Sequence, residues 1–144
     1  MKGGAALQLG RLGNQLYNQG QFPEAHNTYQ DALQRLPTTD TANRAVILAN
    51  KGACLMHQGH LSVALDDFSA ALEANPKLVK AWARKATVLI RQKKYPVAVT
   101  TLQDGLKALP ENKQLYAFYL RPRSSYNWVR YGALRRRCIS QKAL

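Results

Sequence analysis

The chain has 144 residues, 46% of them hydrophobic, with 21 Lys and Arg against 8 Asp and Glu and only two cysteines. That length suits one domain able to bury a core. Cys54 and Cys138 are too few for a disulfide framework, so a reducing, cytoplasmic compartment is expected, and no apolar stretch approaches the roughly 18 residues of a membrane span.

Residues 5–19 read as a first helix carrying Gly13 and Asn14, and 23–36 as a second carrying Ala25, Tyr29 and Ala32. Gly20 falls in the turn between them, where positive φ is cheap for glycine, and Pro37 stops the second helix. The same order returns over 41–57 and 61–74, with Gly52, Gly59, Ala64, Phe68, Ala71 and Pro76 displaced by 39 residues. It returns over 78–92 and 95–108, with Ala86, Lys93, Ala98, Leu102, Gly105 and Pro110 displaced by a further 34. The difference falls near Thr38–Asn43, a polar stretch that lengthens cheaply. Gly13, Gly52 and Ala86 are small enough for paired helices to approach, and Tyr29, Phe68 and Leu102 are expected to fill the space between hairpins. From Lys113 to Leu120, Leu115, Phe118 and Tyr119 recur at helical spacing and start a capping helix, which Pro122 interrupts.

Three copies in register resemble the tetratricopeptide repeat, a helical hairpin recurring about every 34 residues. The expected fold is all-α: a three-repeat superhelix of antiparallel hairpins with a short capping helix over 5–120, then a divergent basic tail over 121–144. One hairpin cannot bury its apolar faces alone, so stacking supplies the core. The first helix of each hairpin lines the concave side. Asn14, Asn50, Lys80 and Arg84 lie on those helices, with Lys80 and Arg84 one turn apart on a shared face. Each alone is an ordinary polar residue on a helix. Together, two amides, a mobile ammonium and a planar guanidinium form a grip for the carboxylates of an extended peptide. By helical spacing Tyr17, Ala53, Met56 and His57 share the inner faces. Tyr17 and Met56 would be apolar pocket walls or ordinary core; His57 would meet an acidic residue of the peptide or cap its own helix.

On these residues the sequence resembles the three-repeat domains of Hsp70/Hsp90 co-chaperones, above all the first such domain of Hsp70–Hsp90 organizing proteins. The resemblance covers about residues 5–120. It implies a dicarboxylate clamp for the C-terminal Glu-Glu-Val-Asp of those chaperones, with Asn14 in Leu12-Gly13-Asn14, Asn50 in Ala49-Asn50-Lys51, and Lys80 and Arg84 in Val79-Lys80-Ala81-Trp82-Ala83-Arg84-Lys85. It implies an adaptor with no cofactor, no small-molecule substrate and no membrane insertion. One position departs: where the family carries a lysine one turn before Asn14, this chain has Gly10. Arg11 is adjacent but about 100° around the helix. The departure leaves open a general repeat scaffold with a different partner.

Residues 113–144 hold 8 Lys and Arg and no acid, so the last segment carries more than half of the net +13. Tyr126, Trp128 and Tyr131 alternate there with Arg130 and Arg135-Arg136-Arg137. Such a tail binds nucleic acid or acidic surfaces in some settings, but no recognised nucleic-acid fold accompanies it. A short helix over 126–139 is the simpler expectation. Cys54, His57 and His60 share a spacing that would need a further ligand to hold a metal, and Asp66 and Asp67 face apart. No pattern for an enzyme emerges.

Overall fold

A computed structural model describes residues 4–120 of the chain. Among these residues the order is α1 (Gly4–Asn18), α2 (Phe22–Arg35), α3 (Thr41–His57), α4 (Leu61–Ala74), α5 (Val79–Arg91), α6 (Tyr95–Ala108) and α7 (Lys113–Leu120), with no strand. The six repeat helices end within one residue of their expected bounds. The basic segment 121–144, with the helix expected over 126–139, lies outside the described residues.

The helices pair as α1 with α2, α3 with α4 and α5 with α6, and each hairpin packs on the next through α2 with α3 and α4 with α5. Odd helices also meet in succession, α1 with α3, α3 with α5 and α5 with α7. A stack whose odd helices touch while its even ones splay curves toward the odd row, which becomes the concave side. α7 closes the third hairpin: Leu115 and Tyr119 are buried with Ala86, Leu89, Leu102 and Leu106.

Tyr29 and Phe68 fill space inside their own hairpins and also toward the next, as the repeat pattern suggested: Tyr29 is buried with Ile47 and Cys54 of α3, and Phe68 with Val88 of α5. A Cβ placed on Gly13 would stand 2.6 Å from Tyr29 Cε1, and one on Gly52 would stand 2.8 Å from Phe68 Cε1. Each glycine is the floor on which the partner helix rests its ring. Lys51 ties three helices, its Nζ lying 3.3 Å from Asp67 Oδ1 on α4 and donating to Gln30 Oε1 on α2 at 3.0 Å. Burial pushes the Asp67 carboxyl up, and Lys51 pulls it back.

The longer spacing between the first two repeats is absorbed in α3. Asp40 caps it, accepting from the Asn43 backbone N–H at 3.3 Å and from Asn43 Nδ2 at 2.8 Å. α3 has 17 residues against 13 in α5, so the insertion adds a full helical turn at the N-terminal end of α3.

All three hairpin turns need a left-handed residue: Gly20 at φ 77°, Gly59 at φ 84° and Lys93 at φ 60°. Lysine has a Cβ and is strained there. Lys93→Gly is therefore expected to stabilise the fold by about 1 kcal/mol, the relief of strain exceeding the entropy glycine loses. Chemical denaturation checks this; a midpoint that falls would show that Lys93 contributes contacts outweighing its strain.

Candidate functional site

Four helices converge on one row of side chains. Tyr29 on α2 donates its hydroxyl to Asn14 Oδ1 on α1 at 2.6 Å. Asn50 Nδ2 on α3 donates to the same oxygen at 3.3 Å. Arg84 Nη1 on α5 donates to Asn50 Oδ1 and to the Ala49 carbonyl, each at 3.3 Å. The row crosses all three repeats, bringing together three of the four expected clamp residues.

The network fixes which atoms remain for a ligand. Burial pushes the Tyr29 hydroxyl up to about 12, reinforced by Cys54 and Tyr17 and opposed by Arg84, so it keeps its proton and acts as a donor. Both lone pairs of Asn14 Oδ1 are then engaged, and its two N–H groups are left over. Asn50 spends its oxygen on Arg84 and keeps one N–H. Arg84 retains the donors outside Nη1. One lone pair of Asn50 Oδ1 remains, and the other uncommitted capacity of these three side chains is N–H donors, so the row favours an anion. Lys80, one turn before Arg84, is exposed and without a hydrogen-bond or ion-pair partner among the described residues.

The other four expected groove residues divide. Tyr17 and His57 meet at the mouth of the groove, the Tyr17 hydroxyl 2.8 Å from His57 Nε2, and Phe22 stacks on the imidazole with centroids 4.5 Å apart. His57 thus uses its side chain across the repeat boundary, and not as a helix cap. Ala53 and Met56 take the core alternative. Ala53 has no exposed surface, and Met56 is buried with Leu55, Ala64, Phe68 and Val88. Met56 packs toward α4 and α5, because the inner stripe of a curved stack is narrower than a full helix face.

Burial depresses His57, and the positive charges of Arg91 and Arg84 add to it. A histidine whose folded value lies below its unfolded one binds fewer protons folded, so it loses stability as pH falls through the unfolded value near 6.5. The thermal midpoint is expected to fall between about pH 7 and about pH 5.5, and His57→Gln to flatten that slope. An unchanged slope in the variant would assign the titration elsewhere.

Sequence spacing did not reveal Tyr29 as the anchor of Asn14, nor Phe22 as the platform for His57. The first was legible in part: Tyr29 is the bulky residue opposite Gly13, next to Asn14. Gly10 and Arg11 border a hollow of about 180 Å³ between α1 and α3, together with Asn14, Asn43 and Asn50. Arg11 therefore lines the same hollow as the amide pair despite its angular offset. The described residues include no group of three or more His, Cys, Asp or Glu able to hold a metal, and none of their helices is long and apolar enough to cross a membrane.

Comparison with known proteins fits this geometry. The family model "Tetratricopeptide repeat" matches residues 11–77 and 50–113. The Hsp70-Hsp90 organizing protein of Triticum aestivum is 33% identical over 103 residues, 72% of this chain and 17% of that protein. This chain likewise spans 17% of the organizing proteins matched in Arabidopsis thaliana and Glycine max. Among solved structures, the TPR2AB-domain:pHSP90-complex of yeast Sti1 superposes with a TM-score of 0.70 at 25% identity, over 80% of this chain and 45% of that one. The first TPR of Spaghetti (RPAP3), bound to HSP90 peptide SRMEEVD, does so at 0.70 and 22% identity, over 83% and 93%, and shares the fold.

Proposed function

Since this chain belongs to the tetratricopeptide-repeat family, we propose that it is a non-enzymatic adaptor whose concave groove binds acidic peptides through their C-terminal carboxylates, as in the tails of Hsp70 and Hsp90. The observation that carries the reading is the hydrogen-bonded row Tyr29–Asn14–Asn50–Arg84, which leaves N–H donors of Asn14, Asn50 and Arg84 for a ligand. Exposed Lys80 beside it supplies a second cation. The organizing-protein relatives and the peptide-bound structures of the same fold support the choice of guest. A buried free thiol at Cys54, pushed up to about 11 by burial and so kept protonated and inert, suits a cytoplasmic setting.

The groove performs no chemistry. Its work is preorganisation: three donors from three helices are already aligned before the peptide arrives, so less ordering entropy is lost on binding. Basic charge along the inner wall steers acidic residues upstream of the terminus. Calorimetric titration with peptides ending in Glu-Glu-Val-Asp, free and C-terminally amidated, tests the reading. Binding lost on amidation is expected; equal binding of both forms would reduce the groove to a general scaffold surface.

A further inference from the structure

Two features of the chain shape the hollow beside Gly10. Gly10 puts no side chain into it, although a Cβ there would meet only Ile47 Cδ1, at a relaxed 3.8 Å. The added first turn of α3 brings Asn43 to its edge. Leu7, Val46 and Ile47 give it apolar walls. Leu7 and Val46 are 41% and 45% exposed, two of five large hydrophobics so exposed among the described residues, and both line this one hollow. Single exposed apolar residues are ordinary; two facing each other across a cavity beside an anion-binding row are not.

No carboxylate lines the hollow. Asp40 is turned to the α3 N-terminus, engaged by Asn43. The rim carries Arg11, Asn14 and Asn50, so a terminal carboxylate on the amide row is welcome. An aspartate side chain pressed against Leu7, Val46 and Ile47 would lose its hydration and would have to share Arg11, the one cation lining the hollow, with the α-carboxylate. An aliphatic side chain there gains burial.

We propose that the hollow between α1 and α3 is a specificity pocket for the terminal side chain, so that this chain prefers acidic peptides ending in an aliphatic residue over those ending in aspartate. The inference rests on the carboxylate-binding reading of the groove. The α-carboxylate lies on the Asn14–Asn50–Arg84 row, the terminal aliphatic group fills the hollow, and Lys80 meets an acidic residue upstream.

Titration of the whole chain with Glu-Glu-Val-Leu and Glu-Glu-Val-Asp peptides, each free and amidated, tests this. Wild type is expected to bind the leucine peptide about tenfold tighter. Gly10→Lys, which fills the hollow with a cation, is expected to reverse the preference, and Val46→Asn, a change at an exposed site, to erase it. Tighter binding of the aspartate peptide by wild type, with both peptides lost on amidation, overturns the pocket and leaves the groove reading standing. Retention of the amidated leucine peptide shows an internal side chain in the hollow and overturns the terminal assignment. Failure of both free peptides to bind removes the groove reading and the pocket with it.

Discussion

Arg84→Ala is expected to weaken binding of the free-carboxylate peptide about a hundredfold, whereas Lys80→Ala weakens it about fivefold. The asymmetry follows from burial and partners. Lys80 is exposed, and a solvated ammonium facing one carboxylate contributes about 1 kcal/mol. Arg84 is half-buried and holds both Asn50 Oδ1 and the Ala49 carbonyl. Its removal deletes a charge-assisted donor and frees the Asn50 amide to rotate, which in turn releases Asn14. Loss of a partly buried, hydrogen-bonded charge is worth about 2–5 kcal/mol in such interfaces. Arg84→Lys should recover little, since an ammonium cannot span the carbonyl, the amide and the peptide together. Calorimetry on the single variants and on Asn50→Ala/Arg84→Ala decides the matter. A strongly non-additive double variant would show the row acting as a unit. Equal losses for Lys80→Ala and Arg84→Ala would mean that the cations act as independent point charges, and the relay would have no part in binding.

Most of the fold was legible because each hairpin repeats the same instructions. Glycine or alanine faces a bulky partner, a left-handed residue makes the turn, and proline ends the unit. The match is close even where one instruction is missing: Lys93 takes the left-handed turn between α5 and α6 without being glycine. The groove was only partly legible. Helical spacing assigns residues to a face, and Asn14, Asn50 and Arg84, which it placed on one face, are linked by hydrogen bonds. It does not measure the width of the exposed stripe, so Ala53 and Met56, a few residues beyond Asn50, fell into the core. Spacing is also blind to contacts between helices. Tyr29 reads as packing, yet its hydroxyl donates to Asn14 Oδ1. The hollow at Gly10 depends on a missing side chain and on an inserted turn from another helix, and one-dimensional periodicity records neither.

Gly13→Ala and Gly52→Ala should have similar effects on stability and different effects on binding. Both added methyl groups run into an aromatic ring at well under contact distance, 2.6 Å from Tyr29 Cε1 and 2.8 Å from Phe68 Cε1. Tyr29 and Phe68 are buried, at 1% and 0% exposure, so neither ring can swing into solvent. Overpacking of this kind destabilises by about 1–3 kcal/mol, and the gain in helix propensity from replacing glycine recovers about 1 kcal/mol of it. Where the ring cannot yield, helices must separate, and the upper end of the range applies. A net loss of about 1–2 kcal/mol is expected for each, lowering the thermal midpoint by roughly 3–12 °C for a domain of this size. Binding separates them. Displacing Tyr29 moves the hydroxyl that holds Asn14 Oδ1, so folded Gly13→Ala should bind the peptide about tenfold more weakly. Phe68 is buried among Leu55, Met56, Ala64 and Val88 and, unlike Tyr29, donates no hydrogen bond to the row, so folded Gly52→Ala should bind as wild type does. Tyr29→Phe provides the matching control, since it removes the hydroxyl and leaves the ring on Gly13. It should reproduce the binding loss of Gly13→Ala with less than half the drop in midpoint. Wild-type affinity in Tyr29→Phe would show that Asn50 alone orients Asn14, and the row would begin at the amides and not at the tyrosine.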